Sequence, residues 1–172
     1  MRKISIFAFA VTLIWLLAGQ LNAAEKSEDK EHAELAKALK GAKISLEKGL
    51  ASSESQGKPI SAKYEVEDGK LQLSVYIVKS DKFFEVIVDH NSGKVAKTEP
   101  ITGGDDLKNA KTQKDAMDKT KSSLRTATEK AVKANNGYRA VSVTPSLKDG
   151  HPAAEITLAK GGEFKTVSEK LD

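Results

Sequence analysis

Residues 60–95, ISAKYEVEDGKLQLSVYIVKSDKFFEVIVDHNSGKV, alternate apolar and polar side chains through three runs separated by Asp68-Gly69 and Ser80-Asp81. Alternation with a period of two marks a half-buried strand. An Asp-Gly pair between two such runs is a strong hairpin signal, because glycine accepts the positive φ of a type I′ turn. The stretch therefore predicts three antiparallel strands. With both dipeptides at turn centres, Glu67 faces Lys70 and Lys79 faces Lys82. Counting away from the turns aligns Tyr64 with Leu73 and Val88, Val66 with Leu71, Val75 with Val86, and Ile77 with Phe84. All of these are apolar and share one face, and a slip of one residue would turn the whole set outward. The opposite face carries the rows Glu65–Gln72–Asp89 and Glu67–Lys70–Asn91.

What precedes this core divides in two. Arg2 and Lys3 lead an apolar run from Ile4 to Leu17, followed by the small residues Ala23 and Ala24. A basic start, a short apolar stretch and a small-residue cleavage region describe a secretory signal peptide, so residues 1–24 are expected to be removed and the product to be periplasmic or secreted. About 148 residues then remain, enough for one ordinary domain or two small ones. Loss of Arg2 and Lys3 lowers the formal net charge of +4 by two. The alkaline character is thus partly that of the leader. Charges of both signs interleave and aromatic residues are sparse, which argues against a nucleic-acid surface. The chain contains no cysteine, which excludes disulfides, thiolate nucleophiles and a lipoprotein anchor.

In the remainder, Leu35, Ala36 and Leu39 recur at helical spacing between His32 and Lys40, after a charged and frayed segment 25–31. Ser45 is placed to cap a helix over roughly 46–56, with Leu46, Gly49, Leu50 and Ser53 inward. Beyond Val95, the Pro, Gly and Asp content of residues 98–107 predicts a linker. A long polar helix is expected over 108–135, with Met117, Leu124, Ala127 and Ala131 along one stripe, followed by strands at 138–147, 152–160 and 163–171.

The two halves correspond. Ser45-Leu46 matches Ser123-Leu124, Gly57 matches Gly137, and Asp68-Gly69 matches Asp149-Gly150, with Phe83 and Phe164 each 15 residues beyond the turn aspartate. A helix followed by a three-stranded meander is expected twice, in units 25–97 and 108–172, as a duplication of a unit too small to bury much alone. The fold expected is α+β, two repeats of a helix packed on a three-stranded antiparallel sheet.

Within the first unit, Ser45 to Val95 resembles a PepSY domain. The likeness is carried by Ser45, Leu46, Gly49 and Leu50, by the strand YEVE at 64–67, and by the ending FFEVIVDHNSGKV. That ending matches V-x-V-D-x-x-x-G-K-V at Val86, Val88, Asp89, Gly93, Lys94 and Val95. The second half resembles a divergent unit without the signature. The resemblance implies a helix on an antiparallel sheet in an exported or membrane-associated protein, acting as a peptidase inhibitor, a chaperone or another binding module. The small, cysteine-free tandem arrangement is also similar to lanthanide-binding members of the family.

The candidate metal ligands are Glu65, Glu67, Gln72, Asp89 and Asn91. Strands lie about 4.8 Å apart, so carboxylates on the outer strands of a row reach inward across roughly 10 Å. They would take a lanthanide or Ca²⁺, hard ions that want six or more oxygens. The same residues also read as a solvated sheet face. Asp89-x-Asn91-x-Gly93 does not satisfy a calcium-loop pattern, because Gly93 is fifth and Glu99 eleventh where sixth and twelfth are needed. It reads as a turn in which side chains bond local amides. The histidines His32, His90 and His151 are too scattered for zinc. With no nucleophile elbow or phosphate loop, the chain is expected not to be an enzyme. Tyr76, Val78, Phe83 and Ile87 fall on the face away from the helix-side core. They read either as a second buried layer or as a patch for a protein partner or homodimer.

Overall fold

The structure, a computed structural model, describes residues 21–172, with side-chain surroundings from Asp29 onward. The leader read at residues 1–24 lies outside the described residues up to position 20, and Leu21 to Ala24 open the first helix. No helix among the described residues is long and apolar enough to cross a membrane.

The architecture is α+β. Helix α1 (Leu21–Ala38) runs into a 3₁₀ turn at Leu39–Gly41 and is followed by α2 (Leu46–Ser53). Strands β1 (Lys58–Glu67), β2 (Lys70–Lys79), β3 (Lys82–Val88) and β4 (Val95–Ile101) come next. Helices α3 (Gly104–Met117) and α4 (Leu124–Ala134) precede β5 (Arg139–Lys148), β6 (His151–Lys160) and β7 (Glu163–Lys170). All seven strands form one antiparallel sheet in the order β4-β3-β2-β1-β5-β6-β7. The halves join through β1 and β5, where Ala62 faces Val143 and Lys63 faces Ser142.

The register expected from the two turns is the one observed. Tyr64 pairs with Leu73, Val66 with Leu71, Leu73 with Val88, Val75 with Val86 and Ile77 with Phe84. Asp68, Gly69, Ser80 and Asp81 all take positive φ, as the two tight turns require. Tyr64, Leu73, Val75, Ile77, Val86 and Val88 are buried on the face under α2, whose Leu46, Gly49, Leu50 and Ser53 point inward. Helix α4 lies beside α2 and buries Leu124, Ala127 and Ala131 against β5 to β7. Helix α3 crosses the other face, where the hydroxyl of Ser61 donates to Gln113 Oε1 at 2.7 Å.

Three expectations need correction. Helix α1 begins well before His32, so the charged segment 25–31 is helical. Residues 98–107 are not a linker, since Thr98 to Ile101 complete an edge strand and Gly104 opens α3. Pro100 fits there because an edge strand leaves one side unpaired and can dispense with an amide donor. Third, the helix over 108–135 is broken at 118–123. Its apolar stripe is buried as expected, but Thr120, Ser122 and Ser123 favour caps and turns over helix interiors. Thr120 Oγ1 donates to the carbonyl of Met117 at 2.9 Å, and Ser123 Oγ accepts from the amide of Thr126 at 3.1 Å. The amides of Lys121 and Ser122 donate instead to Leu171 O, at 2.9 and 3.2 Å.

The same device precedes α2. The amides of Lys43 and Ile44 donate to His90 O at 2.9 and 3.2 Å, and Ser45 Oγ accepts from the amide of Lys48 at 3.3 Å. Each helix start is thereby tied to the chain just beyond its third strand. Arg139 joins the halves further, donating to Leu39 O at 3.2 Å and to Ile44 O at 2.9 Å.

Candidate cation site

The sheet face under α3 gathers polar side chains from four strands. Glu65 on β1 stands opposite Gln72 on β2, as the register required. Its Oε1 accepts from the buried hydroxyl of Ser74 at 2.8 Å, while Gln72 Nε2 donates to the same hydroxyl at 3.0 Å. Its Oε2 lies 2.6 Å from Lys63 Nζ. One strand over, Glu85 faces Tyr76 on β2 and Glu99 on β4. Glu99 is paired with Lys97 at 2.6 Å.

Glu85 is the electrostatic anomaly of this face. Burial raises its pKa above the ordinary carboxylate value, and the nearby charges of Glu65 and Glu67 add to the rise. The Ser74 hydroxyl and Lys63 oppose it without cancelling it. Tyr76 shares the environment: burial pushes its pKa up strongly, with Glu85, Glu65 and Asp106 of α3 contributing. Glu65, Glu85 and the first turn of α3 therefore surround one half-buried tyrosine with negative charge.

The five residues singled out from the sequence do not converge. Glu65 and Gln72 come together, and Glu67 sits exposed at the hairpin end opposite Lys70. Asp89 leaves the row altogether. It lies beyond β3, where its Oδ1 accepts from the amide and hydroxyl of Ser92, both at 2.7 Å, and from the amide of Asn91 at 3.3 Å. These bonds, the Ser92 hydroxyl foremost, hold its pKa below the usual carboxylate range. The turn reading accounts for Asp89, and Gly93 takes the left-handed conformation expected of it, φ +74°. Asn91 contributes its amide to the turn and is exposed.

Sequence reasoning passed over Glu85 and Ser74, and met Glu99 only in the calcium-loop count. Parity alone would have placed Glu85 beside Tyr76 on the polar face. Asp105-Asp106 after Gly103-Gly104 reads as an oxygen-donor pair or, more simply, as linker, and its place in the first turn of α3 depends on how that helix crosses the sheet. Of the four apolar residues on this face, Phe83 is buried and Tyr76 and Val78 pack against the core with Ile101 and Leu107. Ile87 is half-buried.

As a cation site the constellation is incomplete. Among the described residues no group of three or more His, Asp or Glu side chains is arranged to hold a metal ion. Glu65, Glu85 and the Gln72 carbonyl offer fewer oxygens than the six to eight that Ca²⁺ takes, so water would complete the shell. Lys63 would have to yield its place on Glu65. The donors are of the right chemistry, hard oxygens with one carboxyl disfavoured as an isolated anion.

No protein-family model matches the chain, no curated protein matches it, and no solved structure matches it.

Proposed function

We propose that this chain is an exported, non-enzymatic binding protein, built of two PepSY-like units, that captures hard cations through the carboxylates of Glu65 and Glu85. The two-unit reading is supported by the matched helix starts, where Lys43, Ile44 and Ser45 make the same bonds as Lys121, Ser122 and Ser123. The observation carrying the cation reading is Glu85, whose anionic form is penalised by burial and by Glu65. A cation bound between them offsets both penalties at once. Lanthanides and Ca²⁺ are the class favoured, since every donor is a hard oxygen.

Terbium tests this directly, because Tyr76 stands opposite Glu85 and serves as the sensitiser. Saturable luminescence excited through tyrosine is expected, lost in Glu85→Gln and Glu65→Gln and retained in Asp89→Asn. Silence in both luminescence and calorimetry rejects the function. A signal indifferent to Glu65 and Glu85 rejects the site.

A second reading, a protein-interaction module, has one observation in its favour. The sheet ends on β4 and β7, whose outer edges pair with no other strand among the described residues. Strand addition at such an edge is a recurrent way of binding an extended peptide. The patch of Tyr76, Val78 and Phe83 is less suited to a partner or homodimer, because Phe83 is buried and Tyr76 and Val78 are already packed against the core.

A further inference from the structure

The break between α3 and α4 leaves a cavity of about 250 Å³ against the end of α2 and the start of β1. Its floor is apolar. Leu50, Met117 and Leu124 are buried beneath it, and Pro59 is half-buried beside them. Its rim carries three cations, Lys58, Lys121 and Arg125, against the single carboxylate of Glu54. Two of these cations are engaged, though loosely. Lys58 Nζ donates to Met117 O at 3.1 Å and lies 4.0 Å from Asp118, while Arg125 Nε is 3.6 Å from Glu54. Lys121 makes no ion pair among the described residues. Its backbone is nevertheless fixed by the bond to Leu171 O, so its side chain starts from an ordered position on the rim.

We propose that this cavity binds a small amphiphilic anion, with an apolar body over Leu50, Met117 and Leu124 and an anionic head at Lys121 and Arg125. Sites for small ligands combine an apolar lining with a few convergent polar groups, and the excess of positive charge on this rim selects the sign of the head. The site is separate from the carboxylate face and independent of its reading.

The test is octanoate added to the isotopically labelled full-length mature protein, followed by amide chemical shifts. Saturable shifts are expected at Leu50 to Glu54 and at Lys121 to Arg125. The double variant Lys121→Gln/Arg125→Gln is expected to weaken binding by about tenfold, the size of two modest ion pairs together. Both positions are exposed, so the variant spectrum should otherwise superpose on the parent. Neutral octanol and inorganic phosphate serve as partial probes, each expected to shift these amides less than octanoate does. Equal response to octanol overturns the role of the cations, and equal response to phosphate overturns the role of the apolar floor. Absence of shifts at about 10 mM octanoate, roughly the weak end of specific binding, overturns the site.

Discussion

Gly49 tests how α2 is seated on the sheet. A Cβ built there would lie 2.5 Å from Leu73 Cδ2 and 3.2 Å from Leu73 Cγ. Leu73 is fully buried between Tyr64 and Val88, so its side chain has no solvent to retreat into. On local grounds Gly49→Ala should stabilise, since alanine is favoured over glycine inside a helix by about 1 kcal/mol. The overlap reverses the sign, because forcing an added group into a packed core costs about 1–3 kcal/mol and here α2 must lift or Leu73 must leave its rotamer. A net loss of up to about 2 kcal/mol is expected, lowering Tm by up to roughly 8 °C in a chain of this size. Urea denaturation of a double-mutant cycle isolates the cause. Leu73→Ala alone should cost about 2–5 kcal/mol. In that background, Gly49→Ala should become neutral or stabilising, giving a coupling of about 2 kcal/mol. A stabilising Gly49→Ala in the parent, or additivity within about 0.5 kcal/mol, would refute the seating of α2 on Leu73.

Three further outcomes follow from the polar groups. Glu85 has a folded pKa above its unfolded one, so the folded state keeps its proton longer and stability falls as pH rises through that window; Glu85→Gln is expected to raise the urea midpoint at pH 7 and to gain nothing at pH 3. Asp89 is shifted the other way, so its contribution is present above the unfolded pKa and lost as pH falls through the folded one; Asp89→Asn should flatten the acid limb of a stability–pH profile. Arg139→Met removes the donor to Leu39 O and one of two donors to Ile44 O, the other being Tyr64 Oη at 2.8 Å. It should cost about 1.5–3 kcal/mol by chemical denaturation, the range for bonds from a charged group.

What was legible in the sequence was whatever local geometry dictates. Asp68-Gly69 and Ser80-Asp81 permit one register, and that register puts nine apolar residues on one face, so β1 to β3 could be read without any tertiary information. The failures share a different cause. Val95 to Ile101 carries a proline and alternating charges, features that read as loop, yet it pairs along β3 from Val88 to Phe83 because an exposed edge tolerates both. The stripe Met117, Leu124, Ala127 and Ala131 is consistent with one continuous helix, and it outweighed the local capping signal of Thr120, Ser122 and Ser123, while the carbonyl of Leu171 that takes the amides of Lys121 and Ser122 is distant in sequence. Asp89 satisfied the cross-strand count but was captured by Ser92, three residues away, before any partner across the sheet could compete. A carboxylate at a strand end followed by asparagine, serine and glycine should thus be assigned to its turn first and to a cation second. Applied to this chain, that rule moves the candidate ligands inward from Asp89 to Glu85, which has no turn to serve and feels the charges of Glu65 and Glu67.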